Sequence, residues 1–343
     1  MTTTSNPRFA LRSLGLHWPT RDPFLFCAHH LDHYPKGNAA LGPDASLAGR
    51  HIGMDFELKD GFRMYHGDRV PGFPAHPHRG FETITLARQG YIDHSDSLGA
   101  TARFGHGDIQ WMTAGKGIVH CEMFPLVKTD APNPCELFQL WLNLPARSKM
   151  VDPHFSMMWA PSIPKLQVKD DEGKITELTL IAGKYGDTSA PTPPPASWAA
   201  SAEADIAVWT LRMEPGAHFT IPAAEPGSLR SVYFFEGESI TADGTKIDRT
   251  AGLEMADAEA LELRNGNAPA ELLLLQGRPI GEPVAQHGPF VMNTRDELIQ
   301  AFQDYQRTQF GGWPWQGADP VHPRDEGRFA KRPDGSVTRP EPV

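Results

Sequence analysis

The chain has 343 residues, with 32 lysines and arginines against 42 aspartates and glutamates, so its formal net charge is −10. This acidic balance argues against direct nucleic-acid binding, which needs clustered Lys and Arg to replace the counterions on phosphates. Glycine and proline number 32 each. They make up about 19% of the chain against an average near 12%, which excludes a helical bundle or coiled coil because both residues break helices. At about 150 residues per domain, the length predicts two domains.

Three features of the sequence favour a cytoplasmic location. Three cysteines, Cys27, Cys121 and Cys135, are too few and odd in number for a disulfide framework, so we expect a reducing cytoplasm. The first residues, MTTTSNPRFALRSLG, lack the apolar core of a signal peptide. No apolar run reaches the length of about 18 residues that a transmembrane helix needs. We therefore expect no membrane partner.

Short apolar segments broken by glycine recur in both halves of the chain. The first half contains FETITLARQG, GHGDIQWMTAGKG and CELFQLWLNLP, and the second contains IAVWTLRMEPG, SLRSVYFFEGES and APAELLLLQG. Strand-length runs at regular intervals predict an all-β sandwich or barrel in each half. The stretch 186–205, which is rich in proline, predicts an extended linker between them.

The C-terminal part contains one helix pattern followed by a polar tail. Thr294 and Glu297 have capping-box spacing, and the apolar residues that follow recur at helical spacing, namely Leu298, Ile299, Phe302 and Tyr305. We expect this helix to pack on the barrels. The proline-rich tail from Gly317 onward is expected to be poorly ordered or to lie over the surface.

Two pairs of potential metal ligands stand out. They are His76 and His78 around Pro77, and His120 and Glu122 around Cys121. On a strand, residues i and i+2 point to the same face, whereas on a helix they do not. Pro77 favours an extended backbone at the residue before it. Three imidazoles and one carboxylate suit a divalent first-row metal, but spacing alone leaves ordinary core or surface histidines as the alternative. The same alternation makes Cys121 a core thiol.

Several other polar residues have a simpler interpretation. His29, His30 and His33 are close in sequence, but adjacent histidines on a strand point to opposite faces, which disfavours a second metal site. We expect His94 to stabilise a turn, with a position near the barrel mouth as the alternative. Trp111 is expected to belong to the core, with a position lining the pocket as the alternative. Lys116 is expected to be a solvated turn residue.

Longer segments resemble a known superfamily. HPHRGFETITLARQG resembles the first motif of the cupins, HxHxxxE followed by a glycine, and GDIQWMTAGKGIVHCEM resembles the second. In more detail, FPAHPHRGFET, GDIQWMTAGKGIVHCEMF and QHGPFVMNT are similar to the pirin family. The matching pieces follow the order of that family between Asp22 and Tyr305.

The resemblance implies a bicupin, an all-β protein with two cupin-type barrels (double-stranded β-helices) and a short C-terminal helix. The expected bounds are 1–150 for an N-terminal barrel with the metal site and 151–205 for a connecting segment. Residues 206–310 would form a C-terminal barrel without metal ligands together with the helix, and 311–343 the polar tail.

The resemblance also implies the ligands. His76, His78, His120 and Glu122 would hold one divalent first-row metal, expected to be Fe(II), with Mn, Co, Ni, Cu or Zn as alternatives because this ligand set accommodates several ions. Glu82 is a ligand position in many other cupins and is the alternative carboxylate. Otherwise it would pair with Arg79 or orient a ligand imidazole.

Pirin-like proteins include members that resemble quercetin 2,3-dioxygenases. The implied activity is O₂-dependent cleavage of a flavonol such as quercetin with release of carbon monoxide, with Glu122 as the catalytic proton acceptor. The partners would be a small aromatic substrate and O₂. One alternative is an iron-binding, redox-responsive module that binds a protein partner as a transcriptional co-regulator without turnover. A structural protein with a vestigial metal site is the third possibility.

Overall fold

The computed structural model describes residues 8–341, and within them it contains 26 strands and one α-helix, α1 (Arg295–Thr308). The strands of the first half are β1 (Phe9–Arg12), β2 (Phe24–Tyr34), β3 (Gly72–His78), β4 (Phe81–Gln89), β5 (Tyr91–Asp96), β6 (Thr101–Gly105), β7 (Asp108–Thr113), β8 (Ile118–Met123), β9 (Asn133–Asn143), β10 (His154–Met158), β11 (Lys165–Lys169), β12 (Ile175–Ala182), β13 (Lys184–Tyr185) and β14 (Thr188–Ser189). The strands of the second half are β15 (Ala207–Met213), β16 (His218–Ile221), β17 (Leu229–Glu236), β18 (Ile240–Ala242), β19 (Thr245–Ile247), β20 (Ala251–Met255), β21 (Leu261–Asn265), β22 (Ala270–Gly277), β23 (Ala285–His287), β24 (Phe290–Met292), β25 (Phe329–Lys331) and β26 (Val337–Thr338). Short 3-10 turns lie at Ala146–Ser148, Ala160–Ser162, Trp198–Ala200 and Gln309–Gly311.

The described residues form two compact units. The first, which we call the histidine unit, comprises residues 29–161 and 282–341, and the second, the apolar unit, comprises residues 8–28 and 162–281. No helix in the described part of the chain is long and apolar enough to cross a membrane.

This division differs from the bounds that we predicted from the sequence. The N-terminal segment, which we assigned to the first barrel, belongs to the apolar unit, where β1 pairs with β20. Helix α1, which we assigned to the second barrel, belongs to the histidine unit. Local periodicity predicts that a strand exists, but it carries no information about which distant strand becomes its partner.

Two large sheets and the two-stranded sheet β23-β24 lie in the histidine unit. A five-stranded sheet has the order β10-β7-β4-β9-β2, and a six-stranded sheet has the order β26-β25-β6-β5-β8-β3. The unit boundary falls within β2, after Ala28. The strands that carry the two predicted ligand pairs, β3 and β8, are antiparallel neighbours in the six-stranded sheet.

The apolar unit has a seven-stranded sheet in the order β1-β20-β17-β22-β15-β12-β11 and a four-stranded sheet in the order β16-β21-β18-β19. Its core is one cluster of buried aliphatic and aromatic side chains that includes Leu211, Phe219 and Phe234. His218 is exposed on β16.

The capping box predicted for α1 is confirmed. The Glu297 backbone N–H donates to Thr294 Oγ1 at 3.2 Å, and the Thr294 N–H donates to Glu297 Oε2 at 2.8 Å. The helix buries Leu298 and Ala301 in a cluster that also contains Val119 of strand β8. The helix therefore shares a buried cluster with a strand that carries two of the predicted ligands.

The C-terminal tail is built into the histidine unit. Strand β25 pairs with β6, and the Trp315 indole N–H donates to the Asp96 carbonyl at 2.7 Å. Arg103, which is fully buried, donates to the carbonyl oxygens of three tail residues, namely His322, Pro323 and Glu326. From the sequence we expected the tail either to be poorly ordered or to lie over the surface. The structure supports the second expectation, since the tail is ordered and pairs with the histidine unit.

Candidate metal centre

Three histidines meet between strands β3 and β8. His76 lies opposite His120 in the antiparallel register, and an irregularity between Phe73 and His76 shifts that register by one residue. The imidazole centroids are 4.4 Å apart for His76 and His120, 4.8 Å for His76 and His78, and 4.9 Å for His78 and His120. One ligand atom from each ring lies within 4.8 Å of the others. The three imidazoles could therefore hold one metal ion.

Backbone carbonyls orient two of these rings. His76 Nδ1 lies 2.8 Å from the Pro74 carbonyl oxygen, and His78 Nδ1 lies 3.4 Å from the Pro289 carbonyl oxygen. A carbonyl oxygen only accepts, so each Nδ1 carries the proton and each Nε2 keeps a free lone pair. Such outer contacts typically fix the tautomer of a metal-binding histidine.

His120 has no hydrogen-bond partner at either ring nitrogen among the described residues, although it is fully buried. A buried polar atom without a partner carries an uncompensated cost of about 1–3 kcal/mol. A metal bound at one nitrogen would remove part of that cost. The orphaned His120 imidazole is thus the observation that best fits a metal.

Burial keeps all three rings uncharged. It lowers the pKa of His76 to about 4, and it lowers the pKa of His78 and His120 well below the ordinary histidine value, with the neighbouring imidazoles adding to the effect. At neutral pH their lone pairs are therefore available. Metal ligation requires deprotonated donors of this kind.

Glu122 lies two residues beyond His120 on β8, but its carboxylate is held by other side chains. Thr85 Oγ1 lies 2.9 Å from Glu122 Oε1, and the Gln139 amide donates to Glu122 Oε2 at 3.3 Å. Burial raises the pKa of Glu122, while nearby His94 and these two hydrogen bonds act against the rise. The group of side chains that could hold a metal contains the three histidines without Glu122, so its ligand role stays a prediction. Neither Thr85 nor Gln139 was predicted from the sequence.

Glu82, the alternative ligand, lies on the other face of β4. Successive side chains on a strand point to opposite faces, and Thr85 faces Glu122. Glu82 instead accepts a hydrogen bond from Thr113 Oγ1 at 2.6 Å. This geometry disfavours Glu82 as a ligand, so Glu122 stays the predicted carboxylate.

His94 is more central than we expected. It is fully buried, its ring centroid lies 5.5 Å from that of His120, and its Nε2 lies 3.2 Å from Asp96 Oδ2. Its Cα partner across the β5–β8 ladder is Glu122. The sequence did hold a signal, because His94 and Asp96 have the same i, i+2 spacing as the two ligand pairs.

The remaining candidates lie apart from the three histidines. His29 Nε2 is 2.9 Å from Glu136 Oε1, His30 packs on the Tyr65 ring, and His33 is exposed. Trp111 is fully buried, which confirms it as a core residue. Lys116 is more than half exposed and forms an ion pair with Asp152.

Arg79 ties the ligand strand to helix α1. Its guanidinium donates to Asp304 Oδ2 at 2.9 Å and to the Lys116 carbonyl at 2.7 Å, and it lies over the Phe310 ring at 4.6 Å. Arg79 directly follows His78 in the chain. This contact therefore fixes the end of the strand that carries the first ligand pair.

Asp304 makes this attachment pH-dependent. Hydrogen bonds from Arg79 and Arg307 lower the pKa of Asp304 to about 2. A carboxyl group whose pKa is depressed by folding stabilises the fold above its unfolded pKa and loses that contribution as pH falls toward the folded value. We expect Asp304→Asn to lower the free energy of unfolding by about 1 kcal/mol at pH 7. In urea unfolding, the difference from the parent protein should shrink between pH 4 and pH 2; a constant difference would contradict this role.

Comparisons with known proteins agree with this geometry. The Pirin family model matches residues 13–142, and the Pirin C-terminal cupin domain matches residues 208–311. A pirin-like protein of Caulobacter vibrioides is 39% identical over 244 residues, which cover 71% of this chain and 82% of that protein. A Pseudomonas aeruginosa protein provisionally named a quercetin 2,3-dioxygenase is 37% identical over 241 residues, which cover 70% of this chain and 79% of that protein.

A solved structure supports the same fold. The crystal structure of quercetin 2,3-dioxygenase from Acinetobacter baumannii superposes with a TM-score of 0.66 at 26% identity, covering 89% of this chain and 96% of that one. The predicted fold class, an all-β bicupin with a short C-terminal helix, is confirmed. With both family models matched in order and a histidine cluster in the first barrel, the chain belongs to the pirin family of cupin proteins.

Proposed function

We propose that this protein is a metal-dependent dioxygenase that cleaves a flavonol such as quercetin with O₂ and releases carbon monoxide. The observation that carries the proposal is the buried cluster of three uncharged imidazoles with a buried carboxylate beside it. A similar structure, 26% identical, is named a quercetin 2,3-dioxygenase. The substrates would be a small aromatic molecule and O₂.

His76, His78, His120 and Glu122 would hold the ion, and the orphaned nitrogens of His120 fit this assignment. We expect Fe(II), with Mn, Co, Ni, Cu or Zn as alternatives, because the donor set suits several ions. When bound, the metal supplies a Lewis acid that stabilises the deprotonated hydroxyl of the substrate.

Glu122 would take the proton of the substrate hydroxyl. Burial raises its pKa, and a base is most effective when its pKa approaches that of the working pH. Thr85 and Gln139 hold its two oxygens in place. The carboxylate can therefore accept a proton without losing its orientation.

Aromatic side chains beside the histidines suit a flat substrate. The Trp141 ring centroid lies 5.5 Å from that of His78 and 4.3 Å from that of Phe81, and Phe73 lies 6.4 Å from His76. Rings at these separations attract other aromatic groups in offset or edge arrangements. They provide apolar walls for a flavonol next to the proposed metal ligands.

Aerobic incubation with quercetin tests the activity. The protein is loaded separately with Fe, Mn, Co, Ni or Cu. In at least one form it should deplete quercetin, measured as a loss of flavonol absorbance, and release one carbon monoxide for each quercetin lost. A protein that binds metal in all five forms and turns over in none would overturn the proposal. That outcome would favour the interaction-module hypothesis, which a comparison of partners bound by the Fe(II) and Fe(III) forms would then test.

Glu122→Gln should separate proton transfer from metal binding. The amide keeps the size of the side chain but cannot accept the proton as a carboxylate does, so we expect kcat to fall by about 100-fold or more. Metal content should fall much less. Glu136→Gln is the matched control, because Glu136 is also a buried carboxylate but contacts His29 and Arg88. Equal kcat values in Glu122→Gln and the parent protein would exclude the proton-transfer role.

A further inference from the structure

The five-stranded sheet turns a row of polar side chains toward the histidines. Gln110 on β7 and Gln139 on β9 are both Cα partners of Thr85 on β4. Side chains of directly paired residues share one face of a sheet. Because Thr85 and Gln139 both contact Glu122, the whole row faces the candidate metal centre.

A second row lies beside the first on the same face. Thr83, two residues before Thr85, is the Cα partner of Met112 on β7 and of Trp141 on β9. The Trp141 ring contacts the His78 ring, with centroids 5.5 Å apart. Thr83 therefore also faces the histidines, between a methionine and an aromatic side chain.

Three polar atoms in these rows have no hydrogen-bond partner among the described residues. They are Thr83 Oγ1 and both side-chain atoms of Gln110, Oε1 and Nε2, and both residues are fully buried. Each such atom costs about 1–3 kcal/mol. Thr85 and Gln139 in the same rows are paired, so the unpaired polar atoms are confined to one part of this sheet face.

We propose that Gln110 and Thr83 form the subsite that orients the substrate and determines its specificity. A carboxamide both donates and accepts, so Gln110 is complementary to a ligand edge with a carbonyl beside a hydroxyl. The Thr83 hydroxyl pairs with either group. The ligand class is thus a hydroxylated aromatic ketone. This inference rests on the proposed function and deepens it, and both residues are positioning residues.

Binding without turnover tests the subsite. Metal-loaded protein is titrated anaerobically with quercetin and with flavone, which has the carbonyl but no hydroxyl. We expect Gln110→Met, which keeps the side-chain length, to raise the Kd for quercetin about tenfold or more, equivalent to about 1.4 kcal/mol. Thr83→Val should raise it by a smaller factor. The Kd for flavone should change less in both variants.

Two further readouts separate a binding role from a structural one. Metal content should match that of the parent protein, and Tm should be equal or higher, because removing an unpaired buried polar group relieves its cost. Thr176→Val is the matched control. The Thr176 hydroxyl is also buried without a partner in the described structure, but it lies in the apolar unit. This control should leave both Kd values unchanged.

The outcomes distinguish the inference from the proposed function. If quercetin binds in a Gln110-dependent way and is not cleaved, the subsite stands and the dioxygenase proposal fails. If quercetin is cleaved and Gln110→Met leaves its Kd unchanged, the subsite is overturned, its polar atoms being satisfied by water only, and the activity stands. A parent protein that binds neither ligand overturns both, and a lowered Tm with an unchanged Kd assigns Gln110 a structural role.

Discussion

His120→Ala is expected to abolish metal binding. The His120 ring centroid lies 4.4 Å from that of His76 and 4.9 Å from that of His78, and its two nitrogens have no hydrogen-bond partner in the described residues. Changes to residues that merely orient a ligand cost about 10–100-fold in metal affinity. Loss of the ligand itself should cost at least about 100-fold, and turnover should disappear with the metal.

Elemental analysis of protein purified without added metal, followed by calorimetric titration, measures this effect. His106→Ala is the control, since His106 is exposed beside Tyr91 and outside the histidine cluster. Circular dichroism shows whether each variant remains folded. Stoichiometric metal in folded His120→Ala would exclude the three-histidine centre.

The sequence predicted the ligand pairs because they depend on local geometry. Alternation along a strand is enough to place His76 and His78 on one face. The alignment of His76 with His120 is different, since it depends on the register of two strands more than 40 residues apart and on the irregularity after Phe73. Spacing within each pair contains neither piece of information.

Glu82 illustrates how neighbouring side chains on one strand point to opposite faces of the sheet. The side chain of Glu82 points to the face of β4 that is turned away from the candidate metal centre. Thr83 and Thr85 point to the opposite face, which lines that centre. A one-residue change of position reverses the side on which a group can act. The carboxylate of Glu82 stands out in the sequence, whereas the hydroxyls and amides that line the site become informative only when cross-strand partners are known.

The N-terminal segment was assigned to the wrong barrel, and the contacts of the tail were not predicted, for a related reason. Their contacts span more than 200 residues of sequence, as in the bond from Arg103 to the Pro323 carbonyl. A polar, proline-rich composition resembles that of a disordered segment. Here the polar groups of the tail are used instead to satisfy a buried arginine of the barrel, which composition cannot reveal.

Removing residues 313–343 should destabilise the histidine unit by at least about 2 kcal/mol. Arg103 would keep its ion pair with Asp93 at 2.7 Å but would lose three carbonyl acceptors, and β6 would lose its pairing with β25. The effect should reach the metal centre, because the Ala75 N–H, next to His76, donates to the Ala318 carbonyl at 2.7 Å. We therefore expect weaker metal binding as well as a lower midpoint in urea unfolding.

A shorter truncation controls for the loss of chain as such. Removing only residues 333–343 eliminates β26 and the exposed ion pair between Arg339 and Glu326 but leaves β25 beside β6. Exposed ion pairs contribute about 0–1 kcal/mol, so this variant should retain its metal affinity and nearly all of its stability. The prediction is contradicted if the longer truncation retains the stability and the metal affinity of the shorter one. In that case the acceptors for Arg103 do not stabilise the sheet, and the ligand strands keep their geometry without the tail.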